Sequence, residues 1–596
     1  MSGVFHLTGS GSVLMAMIVS SMLAQTPVDA RRAQLKAAID EEWQYQLQVN
    51  PELATQAGDN RYNDQLADYS RESVDRQIRH AEQMLHRLEA IDTAGFPEQE
   101  ELNQVLLVRS LRDTVASARF RDWEMPVNQF AGVHLDYGSL ASAVPLATVK
   151  DYENYLARLH QLPRVFAQVT ANMRLGMQDR IMPPRYLLEK VATQAQEIAD
   201  DSIETSPFTQ PVLKFPGTIG ENDQKRLRDA ISGVVQNEVA PAYRKFAAFV
   251  RAEYAPKGRT ELGVWALAEG DARYRFAIHS MTTTAMDPEA IHQLGLRTVA
   301  AIERDMLAVA KQQGFSDLKS FNEHIRKDPK LYGKSGQQIF DLYQHYADQM
   351  YAELPRLFGR LPKNKLAVVP MEAYRSPDAV PADYSLGAGD GSRPGRINVN
   401  EYNPQGRLLL NLEAIAYHEG VPGHHLQFSI MQELSDLPPF RKFGVNYNAY
   451  TEGWAFYSER LGKEVGFYQD PYSEYGRLEN EMWRAVRLVV DTGVHYKRWS
   501  REQMVDYFRQ HTAMDEPNIQ TEVDRYIAWP AQALSYQLGK MKILELRERA
   551  RQELGNSFDI RAYHDAVLDE GALPLDLLET KIDRWIQSQK AARKQP

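Results

Sequence analysis

Three histidines and a glutamate stand close together in one segment and could bind and use a metal ion. The segment holds three of the chain's 15 histidines within eight positions and reads His418-Glu419-Gly420-Val421-Pro422-Gly423-His424-His425. Imidazole nitrogens bind zinc, and a glutamate next to the first histidine can act as general base toward a metal-activated water. We therefore predict a catalytic site for one zinc ion, with His418 as a ligand and Glu419 as the base.

The spacing of these histidines differs from the His-Glu-x-x-His arrangement, in which two histidines four residues apart share one helix face. The fourth position after His418 is Pro422, and the next histidines follow at positions six and seven. On an unbroken helix of about 100° per residue, His425 would point within about 20° of His418, whereas His424 would point about 120° away. Periodicity alone therefore favours His425 as the second ligand.

Pro422 makes an unbroken helix unfavourable, which reopens the choice of second ligand. Its ring would clash with the carbonyl of His418, and Gly423 allows a sharp change of chain direction. If the two extra residues form a bulge, His424 takes the place of the second ligand and His425 lies behind it. We predict His424 as the ligand and keep His425 as the alternative or supporting residue.

The third ligand is expected in an aromatic segment further along the chain. Glu452 and Glu459 are seven residues apart, so they share one helix face, and they lie among tyrosine, tryptophan and phenylalanine rather than on a solvated face. One carboxylate could bind the ion while the other orients a histidine ring. We predict Glu452 as the ligand and Glu459 as the orienting residue.

Further along the chain than these ligands, the sequence offers four candidates for contact with a substrate. A phenol or imidazole can donate a hydrogen bond to a developing oxyanion, so Tyr536 and His495 are the candidate donors. Arg484 and Arg487 lie one turn apart on a helix and could clamp a carboxylate. Ordinary ion pairs inside the protein are the plainer explanation of these two arginines.

Helical periodicity dominates the chain on both sides of one short β-rich stretch. Strand-like runs at Leu366–Pro370 and Arg396–Asn400 lie between glycine- and proline-rich turns. The second run contains Asn398 and could pair with an extended peptide substrate, although an ordinary core hairpin is equally consistent. We predict a mainly α fold with a small β-sheet just before the metal-binding helix, in which residues 31–360 form one wall of a deep cleft and residues 361–596 form the catalytic region.

Composition excludes several other kinds of protein. The chain has 596 residues and no cysteine, so a metal must use histidine or carboxylate ligands. A formal net charge of -10 argues against a nucleic-acid partner. An apolar stretch at residues 12–24 favours a signal peptide over residues 1–30, and hence a periplasmic or secreted protein. We expect no cysteine-linked lipid anchor and no stable membrane insertion after removal of the leader.

Taken together, these motifs resemble the bacterial domain-of-unknown-function (DUF) family 885 and its gluzincin-like zinc metallopeptidase relatives. The resemblance covers nearly the whole chain after the leader and rests on four motifs: His418-Glu419-x-x-Pro422-Gly423-His424-His425-Leu426-Gln427, Glu452-Gly453-Trp454-Ala455, Arg487-Leu488-Val489-Val490-Asp491-Thr492-Gly493-x-His495 and Pro530-Ala531-Gln532-Ala533-x-x-Tyr536. Ala531 stands where the family pattern has glycine. The resemblance implies a helical body around a deep cleft, similar in shape to helical carboxypeptidases and oligopeptidases, with zinc held by His418, His424 and Glu452.

The function expected from these observations is zinc-dependent hydrolysis of short peptides. A hydrolase of non-peptide amides or esters would use the same zinc and base, and is the first alternative. A periplasmic protein that binds zinc or peptides without catalysis is the second, and Glu419 beside His418 counts against it. The expected partner is a peptide or small amide. Cleavage specificity and oligomeric state do not follow from the sequence.

Overall fold

The computed structural model describes residues 27–371, 376, 379–387 and 393–592. The protein is 71% helical with one small sheet, which confirms the predicted mainly α fold with a short β insert. Most of the predicted leader, residues 1–26, lies outside the described residues, and the first helix begins at Val28. No helix in the described part of the chain combines the length and apolar character needed to cross a membrane.

Sixteen α-helices precede the sheet in the described residues, joined by turns and short 3-10 or π-helical segments. Their starts match local capping signals: Ser70 accepts a hydrogen bond from the Ser73 amide, and Thr148 forms a reciprocal capping box with Asp151. The helices are α1 Val28–Val49, α2 Pro51–Gln56, α3 Arg71–Glu89, α4 Glu98–Ala118, α5 Val133–Asp136, α6 Leu140–Ala143, α7 Val149–Leu159, α8 Leu162–Asp179, α9 Arg185–Asp200, α10 Gln210–Leu213, α11 Glu221–Val234, α12 Ala240–Phe249, α13 Gly270–Thr282, α14 Pro288–Gln312, α15 Leu318–Lys327 and α16 Gly336–Leu357.

Nine further α-helices follow the sheet in the described residues. They are α17 Leu412–Glu419, α18 His424–Glu433, α19 Asn448–Val465, α20 Pro471–His495, α21 Arg501–His511, α22 Glu516–Ala528, α23 Ser535–Leu554, α24 Ile560–Leu568 and α25 Leu575–Ala592. The buried apolar side chains of α1, α3 and α4 share one core with those of α17, α18, α19 and α23. Helices from both predicted regions therefore pack directly against each other, while α7 to α12 enclose a core of their own.

The sheet has three strands: β1 Leu366–Pro370, β2 Ala382–Ser385 and β3 Gly395–Val399. Their order is β1-β3-β2, with β3 parallel to β1 and antiparallel to β2. Because β3 has a strand on each side, the predicted pairing of residues 396–400 with a substrate is wrong. Asn398 is buried and donates hydrogen bonds within the sheet, to Asp383 at 2.5 Å and to Ser385 at 2.8 Å, so its predicted role in substrate binding is corrected to support of β2.

Candidate metal centre

The chain changes direction inside the histidine segment, between α17 and α18. Helix α17 ends at Glu419, and α18 begins at His424. The Val421–Pro422 peptide bond between them is cis. A Cβ atom on Gly423 would lie 2.0 Å from the carbonyl oxygen of His418, so only glycine fits this corner. The predicted break of the helix at the proline is confirmed.

The break brings His418, His424 and Glu452 together, and we refer to these three residues as the triad. One potential ligand atom from each lies within 4.8 Å of the other two. The Oε2 atom of Glu452, on α19, lies 3.5 Å from Nε2 of His418 and 3.6 Å from Nε2 of His424. The three residues predicted as ligands therefore converge on one point.

His425 faces a different environment from its neighbour His424. Its Nε2 donates to the carbonyl oxygen of Asn364 at 3.2 Å, which leaves Nδ1 to accept a hydrogen bond from Tyr384 at 3.1 Å. Burial lowers the pKa of His425 to about 4, so the ring is neutral at physiological pH. Both nitrogens of the alternative ligand are thus occupied by hydrogen bonds between α18 and the sheet region.

Glu459 fixes the ring of the first histidine, two turns along α19 from Glu452. Its Oε1 lies 2.8 Å from Nδ1 of His418, so Nε2 of that ring points toward Glu452. A carboxylate behind a histidine ligand sets the ring orientation and tautomer in many metal sites. The structure therefore places Glu452 and Glu459 on the two sides of one imidazole, as their seven-residue spacing predicts.

The loop between the two histidines is tied to the helix that carries both glutamates. The carbonyl oxygen of Pro422 accepts hydrogen bonds from Nε1 of Trp454 at 2.9 Å and from Oγ of Ser458 at 3.2 Å. Both donors are buried. Helix α19 thus positions Glu452 directly, and it positions His424 through the preceding turn.

The electric field at the triad is set by three carboxylates close to His418. Burial favours the neutral imidazole, but the carboxylates of Glu452 and Glu459 outweigh it and raise the pKa of His418 to about 10. Burial likewise opposes ionisation of Glu452, yet the two imidazoles lower its pKa well below the usual range. Burial raises the pKa of the half-buried Glu419. The carboxylates therefore favour a positive charge at His418, which a bound cation would supply in place of the imidazole proton.

The donor set and its unpaired atoms fit a zinc ion. Two imidazoles and one carboxylate are a known ligand set for catalytic zinc. The Oε2 atom of Glu452 is buried, faces both imidazoles and has no hydrogen-bond partner in the described residues. A buried carboxylate oxygen without a partner is costly, and a bound cation removes that cost. The geometry gives the positions of the three side chains, and their role as zinc ligands is a proposal.

Tyr536 lies beside the triad, as the sequence predicts. Its ring is 6.4 Å from that of His418 and nearly parallel to it, with an interplanar angle of 22°. A close helix crossing brings it there, because a Cβ atom on Gly453 of α19 would lie 2.5 Å from Cα of Gly539 of α23. Two glycines face to face let the first turn of α23 approach the helix that carries Glu452.

His495, the other predicted oxyanion donor, is committed to backbone groups. Its Nε2 donates to the carbonyl oxygen of Tyr526 at 2.9 Å, and its Nδ1 accepts from the Val264 amide at 3.2 Å. Burial lowers its pKa to about 3, so the ring stays neutral. With its single N–H already donated, His495 has none left for a substrate, and we correct its role to a structural one.

Arg484 and Arg487 form the ion pairs that were the plainer explanation of their spacing. Arg484 lies 3.4 Å from Glu459, and Arg487 lies 3.1 Å from Glu522 and donates to the Tyr526 hydroxyl at 2.9 Å. Both arginines are buried. Neither guanidinium is fully satisfied by these contacts, because each keeps one nitrogen without a partner in the described residues.

Two polar residues near these groups were not singled out from the sequence. Gln427 lies one turn after His424 and is buried, and neither of its amide atoms has a partner in the described residues. Arg525 on α22 donates to the Tyr536 hydroxyl at 3.4 Å. Gln427 lies within the histidine motif, so that motif contained a signal for it. Arg525 lies just outside the motif that ends at Tyr536, and only folding shows the contact.

The fold and site define a mainly helical protein with a His-His-Glu cluster, and one family of known description matches most of the chain. Residues 51–582 match the family described as "Bacterial protein of unknown function (DUF885)". The chain belongs to this family. No curated protein matches the sequence.

Two solved structures share the fold. One, described as a "putative lipoprotein" from Colwellia psychrerythraea, is 28% identical, with a TM-score of 0.89 over 94% of this chain and 99% of that one. The other, described as a "putative lipoprotein of unknown function" from Shewanella oneidensis, is 17% identical, with a TM-score of 0.71 over 92% of this chain and 99% of that one. The likeness thus extends over nearly the full length of each chain.

Proposed function

We propose that the protein is a zinc-dependent hydrolase that cleaves short peptides. The observation that carries this proposal is the buried Oε2 of Glu452, which has no hydrogen-bond partner in the described residues and faces Nε2 of both His418 and His424. Glu459 behind His418 supplies the supporting carboxylate of a histidine ligand. The half-buried Glu419, next in the chain to His418, supplies a base.

The reaction is hydrolysis of an amide bond by water. A zinc ion held by the triad would polarise the scissile carbonyl and make water acidic enough to attack at neutral pH. Glu419 accepts a proton as the water oxygen bonds to the carbonyl carbon, and it returns that proton to the amine as the C–N bond breaks. The Tyr536 hydroxyl donates a hydrogen bond to the oxyanion, and its position beside His418 supports this role.

Burial of the triad favours small substrates. His418 is 4% exposed and His424 is 9% exposed, while Glu452 and Glu419 are each only partly accessible. A folded protein chain could not bring its backbone to such a point without unfolding locally. An extended peptide of a few residues fits this access better. The solved relatives described as lipoproteins support an exported location, where such peptides would be met.

Metal analysis combined with peptide digestion tests the proposal. Purified wild type should hold one zinc ion per chain and cleave members of a peptide library, read out by mass spectrometry. Glu419→Gln should keep the zinc and lose at least about 100-fold in kcat/KM, because it removes the base. His424→Ala should lose the zinc. The matched control His425→Ala should retain it, since that ring bonds to Tyr384 and Asn364 instead.

Four outcomes would contradict parts of this proposal. Wild type without stoichiometric zinc would remove the metal site. Full activity in Glu419→Gln would remove the base. If His425→Ala loses the zinc and His424→Ala retains it, then His425 is the ligand in place of His424. Cleavage of non-peptide amides or esters in place of every peptide would change the substrate class and leave the zinc chemistry standing.

A further inference from the structure

Three arginine side chains gather around Tyr536, and we call Arg484, Arg487 and Arg525 the arginine cluster. The guanidinium carbons of Arg487 and Arg484 lie 4.4 Å and 6.0 Å from the centre of the tyrosine ring. Arg525 donates to the tyrosine hydroxyl at 3.4 Å. The same ring lies 6.4 Å from the ring of His418. Tyr536 therefore connects the arginine cluster to the triad.

The arginine cluster carries more positive charge than its ion-pair partners neutralise. Arg487 and Arg525 share the carboxylate of Glu522, at 3.1 Å and 3.6 Å. Arg484 lies 3.4 Å from Glu459, whose carboxylate also holds the first histidine of the triad. In the described part of the chain, three buried or largely buried guanidiniums thus pair with two carboxylates. A surplus buried charge is costly unless another ion compensates for it.

Two guanidiniums of the cluster also keep nitrogens without a partner in the described residues. These atoms are Nη1 of Arg487 and Nε of Arg484, on side chains of residues that are only 2% and 5% exposed. Buried charged donors in native proteins almost always have a partner, so these donors indicate a bound group. An anion that accepts several hydrogen bonds would satisfy the donors and the surplus charge together.

We propose that the arginine cluster binds the free C-terminal carboxylate of a peptide whose scissile bond lies at the triad. Guanidinium groups pair with carboxylates in a bidentate geometry, which suits planar, specific recognition. The cluster and His418 contact the same tyrosine ring, and one residue of extended chain spans about 3.3 to 3.6 Å. The enzyme accordingly removes one or two residues from the C-terminus. This inference rests on the proposed function, because it assigns a substrate class to the same site.

The first experiment needs only the zinc-loaded wild type. One peptide sequence is supplied with a C-terminal acid, with a C-terminal amide, and as an amide whose last residue is glutamate. We expect kcat/KM for the acid to exceed that for the plain amide by at least about 100-fold, since a site built for a polar group rejects analogues that lack it. The glutamate amide separates a side-chain carboxylate from a terminal one, and its cleavage as fast as the acid would overturn the terminal assignment.

The outcomes separate the two proposals. Equal cleavage of acid and amide would overturn the carboxylate subsite and leave the hydrolase proposal intact. Cleavage of no peptide at all would contradict the hydrolase proposal, and binding then decides the subsite. For that purpose zinc-loaded Glu419→Gln is titrated calorimetrically with the acid and the amide. At least about tenfold tighter binding of the acid is expected. Equal affinities, or no binding of either peptide, would overturn the subsite.

Variants test whether the cluster itself supplies the preference. Arg487→Gln and Arg525→Gln should each lower the acid-to-amide ratio of kcat/KM at least about tenfold, through a higher KM for the acid. The matched control is Arg441→Gln, which removes a buried arginine that bonds to Asn103 and to the Glu570 carbonyl. It should keep the wild-type ratio.

A merely structural role of the cluster would appear differently. Loss of activity toward acid and amide in equal proportion would mean that the arginines only position Tyr536, and would overturn the proposal. If Arg487→Gln fails to fold, the double variant Arg487→Gln/Glu522→Gln removes both members of that ion pair, and Arg525 keeps its hydrogen bonds to Gln532 and Tyr536. The same fall in the acid-to-amide ratio is expected from it.

Discussion

The triad and a second buried polar cluster, around Asp491, look alike in sequence and differ in how their polar atoms are satisfied. Both lie on the sequence motifs described above, and both are buried except for Glu452, which is half-buried. Asp491 accepts a hydrogen bond from the Tyr274 hydroxyl at 2.6 Å and from the Ala531 amide at 3.1 Å. One helical turn later, His495 has a backbone partner on each ring nitrogen. At the triad, by contrast, the Oε2 of Glu452 has no hydrogen-bond partner in the described residues.

This difference distinguishes polar atoms that a ligand could satisfy, as at the triad, from polar atoms already satisfied within the fold, as around Asp491. Histidines and carboxylates at motif positions fit both roles, so residue type alone does not decide between them. Satisfied atoms stabilise the protein as it stands, whereas convergent unsatisfied atoms raise its free energy until something binds. Four substitutions would break or sharpen this comparison.

Substitution of Glu452 should have the largest effect, and the property affected should be the affinity for zinc. Glu452→Gln replaces a charged ligand with a neutral amide, and we expect zinc affinity to fall by more than about 100-fold, beyond what loss of a supporting residue costs. Zinc titration measures this change. Unchanged zinc affinity would remove Glu452 from the ligand set.

Substitution of Asp491 should change the pH dependence of the unfolding free energy and leave the affinity for zinc unchanged. Burial raises the pKa of Asp491 to about 7, although hydrogen bonds from Tyr274 and Ala531 oppose the rise. The folded pKa exceeds the unfolded value, so this carboxyl group stabilises the protein at low pH and loses that contribution as pH rises through 7.

Denaturation of the metal-free wild type and Asp491→Asn from pH 4 to pH 7 checks this expectation. The unfolding free energy of the variant relative to wild type should rise by about 1.4 kcal/mol per pH unit over that range. The difference cancels the titration of all other groups that the two proteins share. A difference that does not change with pH would mean that Asp491 ionises normally in the fold.

Substitution of Glu459 should have an intermediate effect, because it supports a triad residue without joining the triad. Glu459→Gln can still accept a hydrogen bond from Nδ1 of His418 but no longer places a charge behind the ring. We expect zinc affinity to fall about tenfold to 100-fold. Competition with a chelator of known affinity measures this change. A loss as large as that of Glu452→Gln would make Glu459 a ligand.

Ala531→Gly should give the smallest effect, and it should be a gain. Ala531 has a φ of 65°, in the left-handed region where a side chain is strained, and its amide donates to Asp491. Glycine relieves the strain but loses more chain entropy on folding, so we expect a net stabilisation of about 0.5 kcal/mol. Thermal unfolding would detect it as a rise in Tm. A fall in Tm would show that the strain is smaller than the entropy that alanine saves.

The resemblance implied glycine at position 531, and the positive φ of Ala531 is the backbone conformation that glycine favours. Sequence analysis also located β1 at the residues where the structure has it, and it located the break at Pro422, because apolar runs and prolines act locally. It missed β2, because Ala382–Ser385 is only four residues long and an alternation over four residues is too short to identify a strand. That strand depends on pairing with β3, which sequence periodicity does not contain.

The parts of the candidate site that could be predicted are the histidine segment at residues 418–425 and the face of α19 that carries the two glutamates. The seven-residue spacing of Glu452 and Glu459 put both on the same side of α19. Helical periodicity alone favoured His425, but the path of the chain through Pro422 brings the ring of His424 to face Glu452. His495 was misjudged for a similar reason. Its backbone partner at residue 264 lies more than two hundred positions away in the sequence.

The hydrogen bonds from Trp454 and Ser458 to the Pro422 carbonyl affect the order in which the protein is assembled. They hold the turn between the two histidines to α19 by protein contacts alone, so the triad comes together when the helices pack. Small zinc domains differ, since they fold only when the ion arrives. Under the proposed function, folding and metal loading are therefore separate events, so the protein would complete its fold in one place and acquire its ion later in another.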